Sequence, residues 1–546
     1  MHVLVCIKRV PGTGSSVELT ADGQSVDTRH LAFTIGPHEE CAVEEAVRIV
    51  AEHDGAVTVL TVGPADADEQ LRYALSMGAD AAVRVDAGAD PLDPQATAAA
   101  IAATVPELDP VDLVLFGNES ADAGHYQVGI RVAVALGLPI VGGVKGVSVE
   151  KGAVWLERPV PGGVEVYKAP LPAAAAVMEG LNLPRYPSMR GRLRAAKAPI
   201  QVIETEVTAG GLRPIRLHKP AEQAKETVVL GKGPEAAPGL ADVLEQLLPA
   251  ISTSPVAEPH MSQSGQRSER SDGNCPPNVI ELRRADGSVD AIELPASATA
   301  EACGAALAAG VRRGEPAAVV AAADPFGAEV MAHLAARLDL PLAANCTAVT
   351  IGEPWVVTRQ RSGGVLLEDA ELDAPIKLIT VAAGAAVSDP PAQLPERRSI
   401  PLNGEPLAKL VERASVGGGI TLATAPVVVS GGRGVGSAEG FAVLEELAEL
   451  LGGAVGCSRV VTNNGWRLHS DQVGQTGTKV SPKVYIAAGI SGATQHWAGC
   501  MGSKTIVAIN TDPDAPMVTR ADYAVIGDAG EVLRATTDEI RRRRTR

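Results

Sequence analysis

The chain has 546 residues, 46% of them apolar and only 3% aromatic, and carries a formal charge of −17 at pH 7. Such a length exceeds what one hydrophobic core serves and predicts about two to four domains. The acidic balance excludes a phosphate-tracking nucleic-acid surface, and without a run of about 18 uncharged apolar residues no stable membrane insertion is expected.

The opening MHVLVCIKRV lacks the basic-then-apolar layout of a secretion signal and reads as a first strand, VLVCI at 3–7. VTVLTV at 57–62 and DLVLFG at 112–117 repeat the pattern. Between them Pro37-His38-Glu39-Glu40 opens a helix with Ala42, Val43, Ala46, Val47 and Val50 on one stripe. Glu40, Glu44, Glu45 and Arg48 fall on its outward face, and the acidic first turn suits the helix dipole. Strands alternating with helices imply an α/β fold with a parallel sheet covered on both faces.

Residues 144–177 turn β-rich around Pro161-Gly162-Gly163, and a basic segment, LPRYPSMRGRLRAAKAP, follows at 183–199. An amphipathic helix is expected near 240–248. The stretch 252–278, rich in Ser, Pro and Gly, cannot bury enough apolar surface to fold and reads as a linker, such as a fusion of two separate chains would leave. Beyond it AAVVAAA (317–323), then Asp324-Pro325-Phe326-Gly327 and a helix to Arg337, restore the α/β pattern. The last third starts with PVVVSGGRGVGS (426–437) and a helix burying Phe441, Leu444, Leu447 and Leu451, followed by strands at Val484–Ala488, 505–509 and Tyr523–Ile526. The basic end, Arg541 to Arg544, reads as solvated. Seven scattered cysteines without a C-x-x-C argue for reduced thiols in a cytoplasmic protein and against a metal site.

Two polar, glycine-bearing turns stand out, Gln472-Val473-Gly474-Gln475-Thr476-Gly477 and Ser491-Gly492-Ala493-Thr494-Gln495-His496. Both close buried strands, and small residues with free N–H groups there suit an anionic dinucleotide. Singly, each has a plain structural reading. GGRGVGS is a tight strand-to-helix turn, Thr476 is turn chemistry, His496 is a satisfied helix histidine and Arg459 is a surface charge.

Taken in order, SGGRGVGS, GCSR (456–459), QVGQTG (472–477), GISGATQH (489–496), TIVAIN (505–510) and ADYAVIGD (521–528) resemble the α subunit of the electron-transfer flavoproteins. VLVCIKRV, AVEEAVRI (42–49), the AL-x-MGAD run (74–80) and PRYPSMRGRLRAAKAP (184–199) resemble the β subunit. The resemblance implies a β-like α/β domain at 1–250, a linker at 251–278, a truncated α N-terminal-like domain at 279–400, and an FAD-binding α/β domain at 401–546. Its shortened third segment predicts a weakened base for the flavin domain.

The same resemblance implies FAD contacts from Arg433, Ser458, Arg459, Val473, Gly474, Gln475, Thr476, Ser491, Gly492, Ala493, Thr494, Gln495, His496, Asn510 and Asp528. In that reading Thr476 donates to flavin N5, His496 donates toward the C2 carbonyl, and Arg459 lies over the ring. Asn510 and Asp528 orient the ribityl or adenosine part. A second nucleotide site, for AMP or a further FAD, falls on Asp122, Gly124, Gln127, Val128 and Gly129, although the loop departs from the family at 123–125. Met189 is the implied anchor for partner dehydrogenases, and Glu165 the implied interdomain partner of Arg459.

The function so implied is an electron carrier of fatty acid β-oxidation, without bond-making catalysis, between flavin dehydrogenases and a quinone oxidoreductase. A bifurcating relative with a second FAD that oxidises NADH is one alternative. A non-redox adenine-nucleotide-binding protein is another.

Overall fold

Strand–helix alternation over the first 204 residues builds a seven-stranded sheet in the order Gln201–Glu204, Ala81–Asp86, Ala56–Val62, His2–Cys6, Leu113–Gly117, Ala173–Val177, Ile140–Val144. Every pairing in it is parallel. Buried on both faces, its strands read as near-continuous apolar runs, such as the fully buried Ala173–Val177. The computed structural model describes the chain except residues 13–16, 89–91, 161–162, 221–225, 249–278, 285, 296, 383–384, 386–396, 403–404, 416–419, 476 and 546. The expected linker and most of the expected Pro-Gly-Gly turn therefore lie outside the described residues.

Two compact units emerge, Met1–Pro220 with Asp272–Val416, and Ala221–Ser271 with Gly417–Arg546. In the first, a nine-stranded mixed sheet stands beside the parallel one, and the helices Pro94–Thr104, Val128–Leu136, Ala300–Gly314 and Pro325–Leu338 feed one core. Ala98, Ile101, Val132, Leu307, Val311 and Leu334 meet in it. The stretch expected to be truncated thus adds a β-hairpin (Val279–Arg283 with Val289–Glu293), two helices and a shared core.

The two sequence halves also exchange strands. Leu212–His218, from the first half, pairs antiparallel with Leu366–Leu372 in the nine-stranded sheet. Lys409–Ser415, from the second half, pairs antiparallel with Gly163–Pro170 in a four-stranded sheet of the first.

The second unit has a six-stranded parallel sheet in the order Val228–Lys232, Tyr523–Ile526, Thr505–Asn510, Val484–Ala488, Val427–Gly431, Ala454–Cys457. Val228–Lys232 and the helix Ala237–Leu247 belong here, whereas the expectation kept them in a domain ending at 250. The basic end is helical, within Ala529–Arg544, and tied down: Arg543 pairs with Asp242 at 2.6 Å and Glu539 at 2.7 Å.

One expected face is corrected. Glu44 and Glu45 are 3% and 9% exposed, not outward. Residues from the basic segment and its approach cover them, Arg185 Nε donating to Glu44 at 2.7 Å and Asn182 Nδ2 to Glu45 at 2.8 Å.

Candidate functional site

In the second unit's sheet, the chain runs from Val427–Gly431 outward to Ala454–Cys457, then returns across the first strand to Val484–Ala488. Strand order reverses between Val427–Gly431 and Val484–Ala488, and crevices at such switch points, beyond the carboxyl ends of the strands, are where open α/β sheets take ligands.

The two loops flanking that point carry SGGRGVGS and GISGATQH, and they pack backbone to backbone. Gly434 N–H donates to Gly489 C=O at 3.0 Å, and Gly432 N–H to Ala488 C=O at 2.8 Å. A Cβ on Gly434 would stand 2.8 Å from Gly489 Cα, and Gly489 itself has φ +62°. No side chain fits between them. Asn510 Nδ2 holds the second loop by donating to Ile490 C=O at 2.9 Å, and Met517 N–H donates to Ser491 C=O at 3.1 Å.

A third loop joins them. Val473 N–H donates to Cys457 C=O at 2.8 Å and Gln475 N–H to Gln495 C=O at 2.7 Å, while a Cβ on Gly499 would press into Gly474. Gln472 Oε1 accepts from Thr462 Oγ1 at 2.8 Å, just after Ser458 and Arg459. Ser458 N–H donates to Gly431 C=O at 2.9 Å. The sequence-predicted residues Arg433, Ser458, Arg459, Val473, Gly474, Gln475 and Ser491 to His496 therefore gather at one edge of one sheet, with Asn510 behind them as a loop brace. Thr476 lies outside the described residues. Asp528 is exposed, and its carboxylate caps the helix Ala529–Arg544 by accepting from Glu531 N–H at 3.0 Å.

His496 is 7% exposed. Its Nε2 lies 2.7 Å from the hydroxyl of Tyr485, a wholly buried residue that pattern reading counted only as part of an apolar strand. Burial pushes the phenol pKa well up, so it keeps its proton, and pushes the imidazole down to about 4, so the ring is neutral. The consistent arrangement has Tyr485 donating to Nε2 and the histidine proton on Nδ1. Nδ1 meets no hydrogen-bond partner of good geometry. A polar residue amid VYIAA was the one sequence signal that could have flagged Tyr485.

Glycine-only loop contacts at a switch point and a buried, neutral imidazole fit the close backbone approach and polar, planar ring of a flavin dinucleotide.

The other predicted residues lie in the first unit. Glu165 is 4% exposed and its oxygens are taken locally: Oε2 accepts from Arg158 Nη2 at 2.7 Å and Tyr167 Oη at 2.8 Å, Oε1 from Arg413 Nε at 3.0 Å. Burial opposes its charge, but these donors prevail and hold its pKa below the ordinary carboxylate value. Met189 is 73% exposed and begins the helix Met189–Lys197, capped by Ser188 Oγ, which accepts from Gly191 N–H at 3.0 Å. Asp122, Gly124, Gln127, Val128 and Gly129 stand at the end of Leu113–Gly117 and the start of Val128–Leu136. Among the described residues no cluster of His, Cys, Asp and Glu could hold a metal ion, and no helix is long and apolar enough to cross a membrane.

Comparison with known proteins matches residues 421–501 to the electron transfer flavoprotein FAD-binding domain. Residues 25–208 and 290–404, more than half the chain, match the electron transfer flavoprotein domain. The electron transfer flavoprotein subunit alpha of Mycobacterium leprae is 43% identical over 242 residues, 44% of this chain and 76% of that protein. The alpha subunits of Thermoanaerobacterium thermosaccharolyticum and Bacillus subtilis are 37% and 36% identical, over 72% and 73% of their lengths and 42% of this chain in both cases. With its glycine-braced switch point and these matches, the chain belongs to the electron transfer flavoprotein family.

Proposed function

We propose that this chain is a fused, single-chain electron transfer flavoprotein, a β-type half followed by an α-type half, with FAD at the switch point of the C-terminal sheet. The observation that carries the reading is the meeting of Gly434 and Gly489, beside His496, at the carboxyl edge of that sheet. Two separate segments matching one domain model support the fusion, since one subunit would need only one.

A bound flavin supplies the redox chemistry, and the residues supply position and field. The glycines of the 432–436 and 489–496 loops let backbone approach the ligand closely, with Asn510 keeping the second loop in place. His496, held by Tyr485, offers Nδ1–H to an acceptor atom without carrying charge at neutral pH. Arg459 supplies a permanent cation at the same edge.

Electrons arrive from flavin dehydrogenases, acyl-CoA dehydrogenases among them, and leave to a quinone oxidoreductase. Support for docking comes from Leu183, Tyr186, Met189 and Leu193, which are 80%, 84%, 73% and 61% exposed. They sit on a segment anchored by Arg185 to Glu44 at 2.7 Å and by Arg72 to Ala195 C=O at 2.7 Å. Exposed apolar side chains on a braced segment suit partners of varied surface, and the thioether of Met189 adapts to them. Among the described residues, six unpaired, buried cysteines accord with a reducing, cytoplasmic setting.

Purified protein should be yellow, release FAD on denaturation, and bleach on mixing with reduced acyl-CoA dehydrogenase. Colourless protein that cannot be reconstituted with FAD contradicts the proposal.

A further inference from the structure

The N-terminal parallel sheet has its own switch point, between His2–Cys6 and Leu113–Gly117, and the nucleotide loop 119–130 leaves from it. That space is filled by the chain itself. Glu39, in the first turn of Pro37–His53, is 4% exposed, and its carboxyl carbon lies 3.0 Å from where a Cβ on Gly117 would stand. It lies 3.1 Å from the corresponding point on Gly36, and its Oε2 finds no partner. Next to it Asp122 occupies Lys8, whose Nζ donates to both carboxylate oxygens at 2.8 and 2.7 Å. An incoming phosphate would meet the Asp122 carboxylate and would have to displace the buried Glu39 side chain, while the adjacent lysine is held on Asp122.

The loop is also tied down without a ligand. Asp122 C=O accepts from Ser362 N–H at 2.8 Å and Arg361 Nε at 3.1 Å, and Ala123 C=O accepts from Arg359 Nη2 at 2.6 Å. Arg359, wholly buried, pairs with Glu368 at 2.8 Å, and Arg361 pairs with the other oxygen of the same carboxylate. Gln127 is engaged by Leu342 C=O at 3.1 Å and Arg131 Nε at 2.8 Å. Gly129 is accounted for by packing, since a Cβ there would be 3.0 Å from Phe116. Asp122 and Gln127, which resembled nucleotide ligands, thus have partners within the protein, and Gly129 is explained by packing.

We infer that Glu39 closes the N-terminal switch point and that Arg359 and Arg361 hold the 119–130 loop in place of a nucleotide, so that this half binds neither AMP nor a second FAD. The family's second nucleotide does not fit the residues present. A chain so built carries a single flavin, which removes the two-flavin bifurcating reading.

The test is denaturing release and chromatographic counting of nucleotides from the full chain purified without added AMP, with melting temperatures measured with and without millimolar AMP. The expected result is FAD alone, and a melting temperature that AMP does not move. AMP or a second FAD near one per chain, or an AMP-dependent rise in melting temperature, overturns the inference. Arg361→Met should lower the melting temperature, and AMP should not restore it; restoration by AMP counts against the inference. If that variant does not fold, the wild-type count decides alone. Loss of the C-terminal FAD would sink the proposed function and leave this inference standing, so the two fail separately.

Discussion

Tyr485→Phe removes one oxygen from the centre of the C-terminal unit, and its cost follows from what that oxygen touches. The hydroxyl lies 2.7 Å from His496 Nε2, and Tyr485 is wholly buried. Phenylalanine keeps the ring packing and strands a buried imidazole nitrogen, a loss of about 1–3 kcal/mol. At the middle of that range, a unit of this size loses roughly 4–8 °C in melting temperature. FAD affinity should fall much less. Without the phenol the two imidazole tautomers share the population, and if they share it about equally the dissociation constant rises only about twofold. Differential scanning calorimetry and flavin fluorescence titration read the two quantities. A double cycle with His496→Leu should return a coupling of about 1–2 kcal/mol between the residues. A Tyr485→Phe variant melting within about 1 °C of wild type, with zero coupling, would refute the tautomer lock.

Other perturbations test other parts of the molecule. Gly492 has φ +85°, and an added Cβ would lie 2.7 Å from Met517 Cα, so Gly492→Ala should cost at least about 2 kcal/mol and yield FAD-free protein on purification. His333 is 1% exposed with neither ring nitrogen partnered, so His333→Leu should raise the melting temperature in a thermal scan; a lower one would mean that His333 has a partner in solution. Burial lowers His333 to about 3 and His496 to about 4, from an ordinary 6.5. Both therefore contribute stability that is complete above pH 6.5 and lost as pH falls toward 4 and 3, because the unfolded chain takes up the protons first. Denaturant titrations between pH 7 and pH 4 should show the decline, shallower in His333→Leu. Glu165→Ala leaves Arg158 its second partner, Glu329 at 2.6 Å, but takes from Arg413 the partner it has in that network, and should destabilise by about 3 kcal/mol in urea unfolding.

The alternation of strand and helix was legible because each parallel strand is apolar over its whole length and each helix carries its stripe locally. Val484–Ala488 and Tyr523–Ile526 fell where their composition placed them. The glycine loops of the C-terminal sheet were legible for a related reason: a glycine that admits only backbone leaves its mark in the sequence. What escaped was set by distant cover. Glu44 and Glu45 look outward from their own helix, but Asn182 and Arg185, over 130 residues on, lie across them. Glu39 reads as a helix-dipole acid and in fact fills a crevice. Tyr485 hides in an apolar run because its one polar atom is answered eleven residues later. Leu212–His218 completes a sheet made otherwise from residues beyond 278, which no local pattern announces.

That trade of strands bears on how the polypeptide survives damage. Leu212–His218 is zipped to Leu366–Leu372, and Lys409–Ser415 to Gly163–Pro170, so each half wears a piece of the other. A protease nick anywhere between 249 and 278 would sever the backbone yet free neither fragment. The pieces should co-migrate on a sizing column and part only in denaturant, behaving as a clasped pair.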